Sequence, residues 1–218
     1  MISFRNVSKR YATQGGRHKV ILQNLSLDIP RINLGILGHN GAGKSTFLRM
    51  LSGTIQPDSG QIVRKANVSW PLGFAGSFHH GLSGIENVRF VARIYGQDTE
   101  SVIEYVKEFS DLGDFLYMPV RTYSSGMVAR LAFGTSMSMN FDYYLVDEIM
   151  AVGDQRFKEK SRKAFDTKLA KSNVIMVSHS NSILQEYCDI GAVLHNGHFT
   201  ICDHLQDAIA LHDENQKL

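Results

Sequence analysis

Nine consecutive residues, Gly38-His39-Asn40-Gly41-Ala42-Gly43-Lys44-Ser45-Thr46, have the types and spacing needed to hold a chain of phosphates. They fit the pattern G-x-x-x-x-G-K-[ST] and stand between a short apolar run and a segment of helical character. Glycines let successive backbone N–H groups turn inward around phosphate oxygens, and a helix N-terminus adds partial positive charge. In such a loop Lys44 reaches the β- and γ-phosphates as a mobile point charge. Ser45 offers its hydroxyl to Mg²⁺.

A second constellation lies far along the chain. Phe141-Asp142-Tyr143-Tyr144-Leu145-Val146 is an apolar run that delivers two acids, Asp147 and Glu148. A buried parallel strand carrying carboxylates at its C-terminal end is where α/β sheets build sites. Asp147 is placed to hold Mg²⁺ through the metal's hydration shell, and Glu148 to orient or deprotonate an attacking water. The run Asn173 to Val177 leads into Ser178-His179-Ser180. If that strand lies beside the one bearing Asp147, His179 reaches the γ-phosphate edge.

These residues need elements to position them. Ile2 to Val7 and Val20 to Ile29 alternate apolar and polar residues, as strands of a half-exposed antiparallel sheet do. Asn33 to Leu37 is a short apolar strand, and Ser45 to Leu51 continues as a helix that stops at Gly53. From about Trp70 to Asn140 the periodicity is helical, with Val102, Val106, Phe109 and Leu112 forming one apolar face. Tyr143 to Val146 reads as a strand, Phe157 to Lys171 as a helix, and Asn173 to Val177 as a strand followed by a helix. Asn196-Gly197 marks a tight hairpin, and Leu205 to Asn215 a last helix. Lys158, Lys160, Arg162, Lys163, Lys168 and Lys171 read as a solvated helix face. Strands alternating with helices imply a mostly parallel α/β core with a helical insertion.

On these motifs the sequence resembles the nucleotide-binding subunits of ABC transporters over nearly its whole length. Tyr123-Ser124-Ser125-Gly126-Met127 stands where that family has its signature motif, about twenty residues before Asp147. The resemblance implies that Ser124, Ser125 and Gly126 touch the γ-phosphate of a nucleotide held by the other subunit of a head-to-tail homodimer. Tyr11 matches the aromatic that stacks on adenine. Asp154 matches the loop coupling the two sites, and it also suits an N-cap. His79, or His80 by a slip of one residue, occupies the place of the Q-loop glutamine, where a neutral imidazole can accept from a metal-bound water. Zinc at this adjacent pair is disfavoured, since neighbouring side chains diverge. The implied fold is an α/β P-loop NTPase (ABC ATPase) core with an antiparallel β subdomain and an α-helical insertion. Residues 1–218 then form one nucleotide-binding domain, with a helical subdomain at about 70–140. ATP and Mg²⁺ are the ligands implied.

Composition narrows the class further. The chain has 218 residues, 43% of them apolar, enough for one sizeable core. Twenty-three basic against 21 acidic side chains leave +2, which gives no electrostatic reason to expect nucleic acid. Cys188 and Cys202 form no disulfide framework, the N-terminus has no apolar leader, and no run approaches the roughly 18 apolar residues of a spanning helix. Ser69-Trp70-Pro71, the signature variant and Asp147-Glu148-Ile149-Met150-Ala151-Val152-Gly153-Asp154-Gln155-Arg156-Phe157 resemble ATPases exporting bacterial surface polysaccharides, capsule above all. The chain ends about forty residues after His179, leaving no room for the carbohydrate-binding domain of many O-antigen exporters. The resemblance therefore implies an ATPase at the cytoplasmic face of the inner membrane. It drives an integral permease that handles the polysaccharide, through the segment near Phe74 to Glu86. O-antigen or teichoic acid export is the alternative. A soluble ATPase acting on DNA or ribosomes lacks its coiled coil here, and a silent regulatory copy would have lost Lys44, Asp147, Glu148 or His179.

Overall fold

The computed structural model describes residues 1–13, 16–72, 78–147 and 154–217. They fall into two compact units. One comprises Met1–Pro71, Phe141–Glu148 and Ser172–Leu218, the other Leu72–Asn140 and Ile149–Lys171.

The first unit carries two sheets. β1 (Ile2–Ala12), β2 (His18–Ile29) and β4 (Ser59–Arg64) pair antiparallel in the order β2-β1-β4. The larger sheet runs β5-β6-β7-β3-β8-β9, from β3 (Leu34–Leu37), β5 (Val68–Pro71), β6 (Tyr143–Asp147), β7 (Asn173–Val177), β8 (Ile190–His195) and β9 (His198–Cys202). Its pairs are parallel except β8 with β9, which the Asn196-Gly197 turn joins as a hairpin. β3, β6 and β7 are apolar along almost their whole length because a parallel strand is covered on both faces. α1 (Lys44–Ser52) packs its Phe47 between the sheets. That ring has no exposure and stacks on Phe4 of β1 at 5.2 Å and on Phe199 of β9 at 4.4 Å. α6 (Asn181–Tyr187) and α7 (Leu205–Gln216) complete the unit.

The second unit is helical: α2 (Gly84–Ile94), α3 (Thr99–Ser110), α4 (Ser125–Ser138) and α5 (Gln155–Leu169), with two 3-10 turns at Gly113–Tyr117 and Val120–Thr122. Each helix start has a local cause. Ser83 and Glu86 form a reciprocal capping box for α2, and Asp98 caps α3 through the Ser101 N–H. Val102, Val106 and Phe109 are buried on α3, and Leu112 is buried just past its end. Phe109 is the centre of an aromatic cluster with Tyr105, Phe133 and Phe157.

Two expectations change, and one strand has no counterpart in the sequence pattern. Trp70 sits on a strand, β5, so the helical stretch begins after it; Val68–Pro71 is too short to show a period of its own. β4 was not visible either, being a polar edge strand paired on one side only. The basic face of α5 is not wholly solvated. Lys160 donates to Asp111 at 3.1 Å and to the Glu108 carbonyl at 2.8 Å, and Lys168 donates to the Met139 carbonyl at 2.8 Å. Half-burial holds the Lys168 ammonium below its ordinary pKa, with Lys171 adding to the effect.

Replacing Phe47 by Ala removes a fully buried ring that touches both sheets. It should cost about 3–5 kcal/mol, read as a lower urea midpoint at unchanged slope. A loss under about 1 kcal/mol would contradict the packing described.

Candidate functional site

β3 ends in the glycine-rich loop and α1 begins at Lys44, so the loop is clamped between two buried elements. At Gly38, φ 153°, a Cβ would lie 2.5 Å from the Leu194 carbonyl oxygen. At Gly43, φ 110°, it would lie 2.5 Å from the Ile21 Cγ2. Only glycine lets the backbone pass so close to β8 and β2. Gly43 is also the N-cap of α1, so no side chain bonds the helix's first N–H groups, and no acid stands in its first turn. A helix leaves its first four N–H groups without internal partners, and these make an anion site. Lys44 is 7% exposed; its Nζ donates to the Gly38 carbonyl at 2.5 Å and the His39 carbonyl at 3.2 Å.

A cavity of about 400 Å³ opens on this loop. Tyr11, Asn40, Gly41, Gly43, Lys44, Ser45, Thr46, Asp147 and His179 all line it. Gly38 and His39 line an adjoining cavity, and Ala42 is buried in the core. The sheet order explains the gathering. β7 lies between β3 and β6, and its Val177 is level with both Ile36 and Asp147. The loop after β3, the turn after β7 and the acid ending β6 thus emerge side by side, at roughly 5 Å per strand. Tyr11 is brought in from the other sheet, opposite Lys19 across the β1–β2 pair, with the Lys9 ammonium 5.3 Å from its ring centroid. Ser45 and Asp147 both line the cavity and offer hard oxygens, which suits Mg²⁺ bound together with phosphates. Among the described residues no group of three or more His, Cys, Asp or Glu side chains is arranged to hold a metal by itself. Glu148 lies outside the described residues, as do 73–77 of the segment near Phe74.

Lys19, Ile21 and Val177 also line the cavity and were not singled out from the sequence. Alternation along β2 puts Lys19 and Ile21 on one face, but only the register with Tyr11 shows that this face meets the loop.

The remaining sequence-predicted residues belong to the second unit. Ser124 caps α4, accepting from the Met127 N–H at 3.2 Å, so Ser125 and Gly126 stand at the exposed start of a helix. His79 is held by Asn87, which accepts from its N–H at 2.7 Å and donates to its carbonyl at 3.1 Å. The His79 Nδ1 accepts from the Gly81 N–H at 3.2 Å. A neutral ring so engaged carries its proton on Nε2, and what it has left to offer is a donor. The expected acceptor role toward a metal-bound water does not fit this geometry. Asp154 caps α5, accepting from the Phe157 N–H at 2.9 Å, and pairs with Arg130 at 2.7 Å. The Arg130 guanidinium lies 4.7 Å from the Phe157 ring centroid. The Phe157 N–H, with the Arg130 charge beside it, holds the Asp154 carboxyl below its ordinary pKa.

The comparisons with known proteins agree with this geometry. A family model described as ABC transporter matches residues 22–151. The polysialic acid transport ATP-binding protein KpsT of Escherichia coli is 51% identical over 197 residues, covering 89% of this chain and 90% of KpsT. The capsule polysaccharide export ATP-binding protein CtrD of Neisseria meningitidis serogroup B is 47% identical over 199 residues, covering 91% and 92%. Among solved structures, the ATP-binding cassette MJ0796 in a dimeric post-hydrolysis state superposes with a TM-score of 0.74 at 18% identity, over 94% of this chain and 99% of that one. That likeness establishes the fold.

The Asp154 cap has a pH signature. Its folded pKa is depressed, so its contribution is present above the unfolded value, about 3.9, and is lost as pH falls through the folded value. Asp154→Ala should lower the thermal midpoint at neutral pH, and the gap to the unaltered chain should close only in acid. A gap that does not change with pH would contradict the cap and ion pair.

Proposed function

Because this chain belongs to the ABC transporter family, as an ATP-hydrolysing subunit, we propose that it powers export of a capsular polysaccharide across the bacterial inner membrane. The observation that carries the mechanism is the level row of Ile36, Val177 and Asp147 across three parallel strands. It collects the phosphate loop, His179 and the acid around one cavity. Residues 1–218 act as one nucleotide-binding domain, whose helical subdomain takes in α5 (Gln155–Leu169) besides the stretch expected at about 70–140.

In this reading the N–H groups of Gly41 and Gly43 and the start of α1 bind the β- and γ-phosphates, while Ala42 closes the loop by donating its N–H to the His39 carbonyl at 3.0 Å. Gly38, His39, Asn40 and Thr46 shape that loop. Lys44 moves its ammonium from the loop carbonyls to the γ-phosphate. Tyr11 stacks on the adenine. Ser45 and Asp147 hold Mg²⁺, which when bound neutralises charge developing on the β- and γ-oxygens. Glu148 orients the attacking water and takes its proton, and His179 donates to the γ-phosphate edge. Ser124, Ser125 and Gly126 complete the site of a second copy in a head-to-tail dimer, where the uncapped N–H groups of α4 meet the γ-phosphate in trans. Asp154 sets the loop that couples the two sites. His79 keeps the Q-loop place as a hydrogen-bond donor.

The partner is an integral membrane permease, contacted through the helical unit, on which Phe90, Ile94 and Tyr117 are exposed. Among the described residues no helix is long and apolar enough to cross a membrane, in keeping with a peripheral subunit on the cytoplasmic face. The names of KpsT and CtrD support a capsular polymer as cargo.

Glu148→Gln keeps every phosphate contact and removes the base, so with ATP and Mg²⁺ it should elute as a stable dimer. The same chain also carrying Lys44→Ala should stay monomeric. A monomer in both cases at saturating ATP would overturn the proposed dimer.

A further inference from the structure

Four histidines from four separate elements meet beside the phosphate loop. His39 comes from the loop, His179 from the turn after β7, His195 from the end of β8 and His212 from α7, and together they line a cavity of about 410 Å³. Asn215 and Gln216 add carboxamides to its wall, and no carboxylate lines it among the described residues. This cavity adjoins the nucleotide cavity, with Asn40 and His179 lining both. The His39 and His195 rings meet edge to face, with centroids 6.1 Å apart.

Hydrogen bonds fix three of the tautomers. The Asn40 carbonyl can only accept, so the His39 Nδ1 carries a proton. The side-chain amides of Asn196 and Gln216 donate to the Nε2 of His195 and of His212, each at 2.9 Å, so both rings carry their proton on Nδ1 when neutral. Protonation would add a charge to the His212 ring, and its surroundings oppose it. Burial lowers the pKa of His212; Lys44, His39 and His179 lower it too, while Asp213 raises it. A bound anion would reverse that balance, because the positive charge on His212 would then face a negative one. Imidazole and amide donors with no carboxylate complement an oxyanion.

We propose that this histidine-lined cavity is a second anion site, which takes inorganic phosphate as it leaves the nucleotide cavity. The inference rests on reading the loop as an ATP site. Binding of the anion favours a charged His212, with the Gln216 amide turning so that its oxygen accepts from the new Nε2–H, so affinity rises as pH falls through the imidazole range.

The test uses the full-length chain saturated with Mg²⁺ and adenylyl imidodiphosphate, which fills the phosphate loop. Inorganic phosphate is then titrated in, with the imidazole signals followed by NMR. The signals of His195 and His212 should shift saturably. His212→Phe, which keeps a ring but removes its nitrogens, should weaken phosphate about tenfold and leave affinity for the analogue unchanged, which also shows that the variant is folded. Sulfate, whose charge is constant in this range, should bind at least about threefold tighter near pH 6 than near pH 8. With the analogue bound, the absence of a saturable shift, or equal phosphate affinity in the variant, would overturn the second site alone. Failure of the analogue itself to bind would overturn the ATP reading and this one together.

Discussion

A helix that begins without a cap of its own is the feature around which the first unit is organised. α1 starts at Gly43, which has no side chain to satisfy the helix's first N–H groups. A serine or aspartate there would supply about 1 kcal/mol, but a Cβ at that position would strike Ile21. The helix is held instead by what it buries: Phe47, Leu48, Met50 and Leu51 have no exposure. Its N-terminus is thereby left open to an anion while its body is locked between two sheets. The same closeness at Gly38, against the Leu194 carbonyl, fixes the other end of the loop. A loop this constrained changes little on binding, so less of the binding energy goes into ordering it.

Much of this was legible in the sequence because the chemistry is local. The phosphate loop is nine consecutive residues, and a strand, a tight turn and a helix follow one another with no long-range information needed. Asp147 and His179 were legible as ends of apolar runs; that they share a cavity depends on β7 lying between β3 and β6, which the sequence suggests only through the resemblance. Lys19 and Ile21 were not legible at all. Their place at the site depends on the register of a hairpin with irregularities, and register is set by pairing and not by composition.

The helical unit shows the opposite balance. Its helices and their caps follow local rules, and Val102, Val106 and Phe109 lie on the face expected of them. The role of α5 did not follow from its residues. Its lysines suggested water, yet Lys160 lies 5.2 Å from the Phe109 ring centroid and Lys168 bonds the end of the α4 segment, because long side chains bury their stems while their ammonium groups find carbonyls. Asp154 shows two uses of one carboxylate, as cap and as ion-pair partner of Arg130 on α4. His79 is the sharper case. Its residue type allowed an acceptor toward a metal-bound water, and only its bond from Gly81 reveals that the accepting nitrogen is already used.

Hydrolysis at this site matters to the cell only if it moves a polymer. The most direct measurement is the location of capsular polysaccharide in source cells whose only copy of this chain carries Glu148→Gln. Polymer retained in the cytoplasm beneath a bare surface is the expected result, and its composition would identify the cargo. A normal surface coat, in cells whose purified variant has lost ATPase activity, would contradict the export reading.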